Sequence, residues 1–304
     1  MSYVSSFGDV SRKDDVVLNA VEILTARETM IFNMLGKTEA IDTVHMFLVD
    51  TLRTAAANAQ TEVGSYTYLD RTTPTRLSNI VQNIAIPFRV SRTQQKIQHY
   101  HGEDELARQT TKALMEFAND AEFNLLRSTG TSGASGTAPT MNGIIAAISK
   151  STNVTAHTSG TALVASIIDG LASANWTNSN GDVATDLFMG SFLRTTFDGF
   201  TQKTNTVVNS ASVTAIIRTV QTYETAFGTL VVHKHRYIQA AADATARMLC
   251  IRPDKLKVAF LEKPYIDDGL SRDGDFTPRA VVGKMTLEVR NQDSNWFTSG
   301  FLKA

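Results

Sequence analysis

The chain has 304 residues, with 29 Lys+Arg against 30 Asp+Glu and a formal net charge of -1 at pH 7. Near-neutrality excludes a nucleic-acid or membrane binder driven by a global basic excess, and 42% apolar with 19% charged residues excludes disorder by composition. Length favours about two domains of ~150 residues each, and one cysteine, Cys250 in an apolar run, excludes a disulfide scaffold.

Residues 1–9 show no basic-then-apolar leader and no 18-residue apolar run occurs, so a soluble protein made in the cytoplasm is expected. Ser11 with Asp14 resembles a capping box, and Val17, Ala20, Val21 and Leu24 carry a helix to about residue 25. Residues 27–62 mix short apolar clusters with a break at Gly36 and a short strand at 45–49, and read as an extended arm. Over residues 63–90 the period becomes two: Tyr66 and Tyr68, then Ile80, Ile84, Ile86 and Phe88, alternate with polar residues around a polar connection at 70–76. This predicts a long β-hairpin, an element marginal in water on its own and therefore expected to lie on something else.

Residues 103–127 carry the strongest helical signal. Leu106, Thr110, Ala113, Leu114, Phe117, Ala121 and Leu125 form one stripe, and Arg108, Lys112, Glu116 and Asp120 the opposite face. Glu103, Asp104 and Glu105 suit the positive end of the helix dipole, and Arg127 the negative end. A flexible Gly/Ser/Thr loop follows at 128–136, then helical patterns at 141–148, 161–176 and 191–202. Strands are expected at 228–233, at 249–251 paired with 256–260, and at 279–290.

Signatures of chemistry are weak. Gly283-Lys284 precedes Met285 and follows Pro278 where a phosphate-cradling loop needs Gly, and the serines of the 130–136 loop lack the glycine flanks of a nucleophile elbow. His99/His101 and His233/His235 are each two apart, without cysteines or acids at zinc spacing, and read as ordinary polar groups. Residues 267–275 are acidic and Gly-rich without calcium-loop spacing, a solvated turn. Sequons at Asn153 and Asn175 carry little meaning without a secretory signal. No catalytic, cofactor or metal residue is assigned.

Charge is distributed unevenly. Residues 51–98 hold Arg53, Arg71, Arg76, Arg89, Arg92 and Lys96 against Glu62 and Asp70, about +4, whereas 99–122 hold Glu103, Asp104, Glu105, Glu116, Asp120 and Glu122 against Arg108 and Lys112, about -4. Two readings follow: independently solvated faces, or a basic hairpin lying across the acidic helix of a neighbouring subunit through Arg71, Arg76, Arg89, Glu105, Glu116 and Asp120.

An arm, a long hairpin, one long helix, a mixed region and returning strands resemble, in that order, the major capsid proteins of tailed bacteriophages with the Hong Kong 97-type fold. Residues 28–37, ending Leu35-Gly36-Lys37, look like the arm segment of a subgroup of about this length, with Met30 where Pro is common and Phe47 where Trp is common. Residues 57–62 and 90–93 are similar to the start and exit of its hairpin. Residues 227–232 with 236–238, 252–254 with 258–259, 269–275 and 285–291 are similar to its strand, turn and closing-strand motifs.

The resemblance implies an α+β fold: an N-terminal arm (1–62), an extended hairpin loop (63–95), a peripheral domain with the spine helix (96–140), an axial domain (141–247) and returning strands of the peripheral domain (248–304). It implies a non-enzymatic subunit that assembles with copies of itself, as hexamers and pentamers, into an icosahedral head around double-stranded DNA held without sequence specificity. Portal, scaffolding and decoration proteins are possible further partners, no cofactor or membrane is expected, and the virion is the implied location. The lysine-to-asparagine crosslink of some members is not expected, because residues 38–95 contain no lysine. An encapsulin-like shell protein and a hydrolase using the 130–136 loop are the alternatives.

Overall fold

A computed structural model describes residues 29–60, 62, 64–65, 68, 70–97, 104–148, 154–179, 181–201, 221–239, 243 and 245–302. The helix expected at 11–25, Tyr66 of the expected hairpin, His99, His101, Glu103 and the sequon at Asn153 lie outside these residues.

The chain order is α1 (Met30–Met34), β1 (Gly36–Glu39), β2 (Val44–Val49), β3 (Thr75–Ile80), β4 (Gln82–Ser91), α2 (Arg92–Lys96), α3 (Glu105–Arg127), α4 (Ile144–Ile148), β5 (Val154–Thr161), α5 (Ala165–Asn178), β6 (Asp186–Met189), α6 (Ser191–Thr201), β7 (Thr222–Thr225), β8 (Gly228–Lys234), β9 (Ala246–Ile251), a 3-10 turn (Pro253–Lys255), β10 (Leu256–Asp267), β11 (Phe276–Val289) and β12 (Trp296–Phe301). They build a four-stranded sheet β1-β10-β11-β4, a six-stranded sheet β5-β12-β9-β6-β8-β7 and a separate two-stranded ribbon β2-β3.

The long helix forms as its sequence dictates. Asp104 caps α3 by accepting the Leu106 amide at 3.1 Å, Glu105 occupies the first turn and Arg127 the last. Thr110, Ala113, Phe117, Ala121 and Leu125, spaced three or four apart, are buried against the four-stranded sheet, while Leu114 lies outside the buried stripe at 42% exposure. A Cβ at Gly283 on β11 would meet the Phe117 ring within 2.7 Å, so the glycine is what lets helix and sheet approach. A second cluster joins Ile168, Leu171, Leu193 and Phe197 of α5 and α6 to Leu187, Met189, Met248, Cys250 and Trp296 of the six-stranded sheet.

Two expected pairings are replaced. Among the described residues the second run of the hairpin read over 63–90 has other partners: β2 pairs with β3, Val44 opposite Ile80 and Val49 opposite Thr75, while β4 leaves the ribbon and pairs with β11. Alternation marks a half-buried strand but not its partner. Residues 249–251 and 256–260 do not pair either: the turn at Pro253–Lys255 sends β9 to the six-stranded sheet and β10 to the four-stranded one. Residues 248–304 thus divide between the sheets, β12 returning to the six-stranded sheet between β5 and β9. The 130–136 loop is ordered as a small hairpin with Thr131 bridging Thr140 and Ala134 bridging Thr137.

Polar contacts tie the two larger sheets together across α3. Arg127 grips Asp243 with two bonds of 2.9 Å, and fully buried Glu122 bonds His235 Nε2 at 2.8 Å. Glu122 also accepts the amides of Ile31 and Phe32 at 2.7 Å, supplying α1 with the N-terminal acceptor that Thr29 does not.

Candidate assembly surface

The ribbon β2-β3 stands apart from both larger sheets, and between its strands the chain runs through residues 50–74 without a further strand among the described residues. The 19 residues from Val44 to Glu62 span at most ~68 Å when extended. Apart from His45, every residue of β2 is apolar, so neither face of the strand is polar. Met46 and Leu48 are 53% and 64% exposed, and Leu52 and Tyr68 beyond them 95% and 93%. Covering each such side chain is worth ~1.5–3 kcal/mol, and among the described residues that contribution is unrealised.

The root of the ribbon is anchored on β11. Asn79 Nδ2 donates to the carbonyls of Leu287 (2.7 Å) and Asn142 (3.0 Å), and its Oδ1 accepts the amides of Ile80 and Asn142, each at 2.9 Å. Thr286 Oγ1 donates to the Ile80 carbonyl at 2.8 Å. Opposite Asn79 in the register, His45 approaches Glu288 at 3.6 Å, and Glu288 is held by Arg290 at 2.6 Å. Beside this root lies an open groove of about 430 Å³, lined by Thr43, Val44, Ile80, Val81, Pro139 and Leu261 among others.

The six charged residues singled out from the sequence fall on four elements. Arg71 is exposed in the 50–74 segment; Arg76 is exposed on β3 with Nη1 3.9 Å from Met46 Sδ; Arg89 is on β4 over the Phe276 ring at 5.1 Å. On α3, Glu105 holds Arg108 at 2.6 Å and Glu116 lies 3.6 Å from Lys112. Burial and then the nearby Glu116 charge raise the Asp120 carboxyl above its ordinary 3.8. The basic stretch is also divided: the ribbon with its connection, residues 44–80, holds Arg53, Arg71 and Arg76 against Asp50, Glu62 and Asp70, a balance of zero, while Arg89, Arg92 and Lys96 belong to β4 and α2. What distinguishes the ribbon is apolar exposure. Its signal in the sequence is the apolar run at 44–49, too short to separate a buried strand from an exposed one.

The other candidates resolve into structural roles. His233 Nε2 bonds Asp186 at 2.9 Å and His235 bonds Glu122, so the two histidines have separate carboxylate partners. Asn175 is buried, donating to the Asp293 carbonyl and accepting the Ala184 amide. Cys250 is fully buried, which pushes its thiol well up. Among the described residues no three His, Cys, Asp or Glu side chains group to hold a metal, and no helix is long and apolar enough to cross a membrane.

Known proteins give this arrangement a family. No curated protein matches the sequence. Among solved structures, the cyanophage A-1(L) capsid asymmetric unit is similar at a TM-score of 0.72 and 11% identity, covering 99% of this chain and 100% of the other. The capsid of a native GTA particle is similar at 0.68 and 11% identity, over 99% of both chains. The holo-SrpI encapsulin of Synechococcus elongatus is similar at 0.60 and 10% identity, over 93% of this chain and 92% of the other. At these identities the likeness is one of fold, the Hong Kong 97-type capsid fold. The SU10 major capsid protein model matches residues 7–300, nearly the whole chain, and the protein belongs to that family.

Proposed function

We propose that the protein is the structural subunit that assembles, through hexamers and pentamers of itself, into the icosahedral head shell enclosing double-stranded DNA of a tailed bacteriophage. The observation that carries the reading is the ribbon: an exposed two-stranded element whose β2 residues are apolar on both faces. A ribbon seated on a neighbour is a head-to-tail contact between different surfaces of identical chains, the type that closes rings. In this reading α3 is the spine helix, residues 50–74 with β2 and β3 form the extended loop, and the six-stranded sheet is the core of the axial domain. The role is non-enzymatic, and the chain is made in the host cytoplasm before entering the virion. Scaffolding, portal and decoration proteins are the further partners such a shell takes, and the duplex inside is held by enclosure, not by base contacts.

The test is expression followed by size exclusion and negative-stain microscopy. Closed shells are expected; a stable monomer or dimer under all assembly conditions would sink the reading. The encapsulin likeness favours a second reading, a shell with non-viral cargo. Nuclease-protected DNA in native particles supports the phage head, and particles holding protein cargo instead overturn it.

A further inference from the structure

We propose that residues 11–25 dock as a helix in a groove along the N-terminal half of α3, so that the start of the chain straps its own long helix. The contact lies within one chain and does not depend on assembly. α3 carries more apolar surface than the four-stranded sheet covers. Beside its buried stripe runs a second row, Thr111, Leu114, Met115 and Ala118, at the i, i+3, i+4, i+7 spacing of one helix face. Leu114 is 42% exposed, and Met115 and Ala118 are half-buried. One turn further on, α1 covers this side of the helix: Glu122 accepts the amides of Ile31 and Phe32, and Ile31 is fully buried. Toward the N-terminus of α3 the row instead lines an open groove of about 270 Å³, bordered by Thr29, Thr111, Leu114, Met115, Ala118 and Asn119.

The occupant follows from where the chain enters. Thr29, on the border of the groove, is the first described residue, so the segment before it starts from the site itself. Only residues 26–28 separate Thr29 from residue 25, where the helical pattern of the sequence ends, and that connection reaches at most ~14 Å. The apolar face of the pattern, Val17, Ala20, Val21 and Leu24, repeats the i, i+3, i+4, i+7 spacing of the row on α3. Rows of equal pitch interdigitate when two helices pack with their axes about 8–10 Å apart. The lengths agree as well: a helix over 11–25 and the stretch of α3 from Glu105 to Asn119 are each ~22 Å long. The short tether sets the direction, with Leu24 at Ala118, Ala20 and Val21 at Leu114 and Met115, and Val17 at Thr111. It also gives the segment an effective concentration at the groove that a second copy in dilute solution does not reach.

The experiment is spin-label distance measurement on the full chain carrying Asn19→Cys and Lys112→Cys, diluted about tenfold into unlabelled chain. Asn19 lies opposite the apolar face of the pattern, Lys112 is exposed on α3 outside the row, and native Cys250 is fully buried. The docked helix gives one narrow distance below about 30 Å that persists on dilution. A broad distribution, or one centred at a longer distance, overturns the strap; a short distance lost on dilution overturns it in favour of a neighbouring copy's segment in the groove. Val21→Asp with Leu24→Asp should broaden the distribution, and an unchanged one overturns the apolar seat. Should that pair not fold, thiol modification decides: Leu114→Cys should react at least about tenfold more slowly than Lys112→Cys, and equal rates overturn the proposal. Shells that form without the short distance defeat the strap and leave assembly standing; a short distance in a chain that never forms shells does the reverse.

Discussion

Glu122 shows how one buried charge organises three elements. Its carboxylate, with no exposure to water, takes two amides of α1 and the imidazole of His235, so α3 simultaneously caps the arm's helix and fastens the segment after β8. Removing the carboxylate leaves those donors without an acceptor at ~1–3 kcal/mol each. Glu122→Ala is therefore expected to cost the unassembled subunit about 3–5 kcal/mol in urea denaturation, and a loss below about 1 kcal/mol would show that water replaces it. Asp182 is the surface counterpart. Its hydrogen bond to Lys255, 2.8 Å long, holds the carboxyl below its ordinary 3.8. A depressed native value means that the carboxylate stabilises the fold above about pH 4 and loses that contribution as pH falls through the lowered value. Both side chains are about one-third exposed, so solvent screening keeps the effect under about 1 kcal/mol. Asp182→Asn should lower stability by less than that at neutral pH, and the difference should vanish in strong acid; a difference that persists there would assign it to packing.

At the scale of elements, β12 is the strand on which the six-stranded sheet depends, pairing parallel with β5 and antiparallel with β9 through register shifts on both sides between residues 298 and 301. Gly300 makes the irregularity possible: its φ is +98°, and a Cβ would collide with the His157 backbone. Gly300→Ala should cost on the order of 2 kcal/mol, read as a lowered denaturation midpoint, because strand and bulge cannot both be kept. Nothing in the sequence around Gly300 announces this, since β5 and β9 lie far away along the chain. The same physics divides what was legible from what was not. A helix carries its own partner pattern, so the Thr110-to-Leu125 stripe, the Asp104 cap and the Arg127 terminus of α3 are readable locally. A strand states only its alternation, so β4 and β10 were recognisable as strands while β4 was given the wrong partner. The Glu122, Asn79 and His45 contacts join residues many positions apart, 113 in the case of Glu122 and His235, and no local pattern encodes them.

For the whole molecule the question is what holds one copy to the next. The charge pattern suggested arginines of the hairpin on acids of the helix, yet the ribbon and its connection balance three basic against three acidic residues, and Glu105 and Glu116 have cations on their own helix. Exposed ion pairs contribute under about 1 kcal/mol each and weaken with salt. Covering Met46, Leu48, Leu52 and Tyr68 is worth several times more and strengthens with sulfate. Assembly should therefore tolerate Arg71→Glu with Arg76→Glu better than Met46→Ser with Leu48→Ser. These side chains already face water in the isolated chain, so the serine pair should leave subunit stability within about 0.5 kcal/mol while raising the critical concentration for shell formation at least tenfold, or about 1.4 kcal/mol per contact. Light scattering against salt separates the two contributions. If the arginine pair proves the more damaging and wild-type assembly fades as sodium chloride rises, the contact is electrostatic after all; if assembly survives salt and fails with the serines, the apolar ribbon closes the shell.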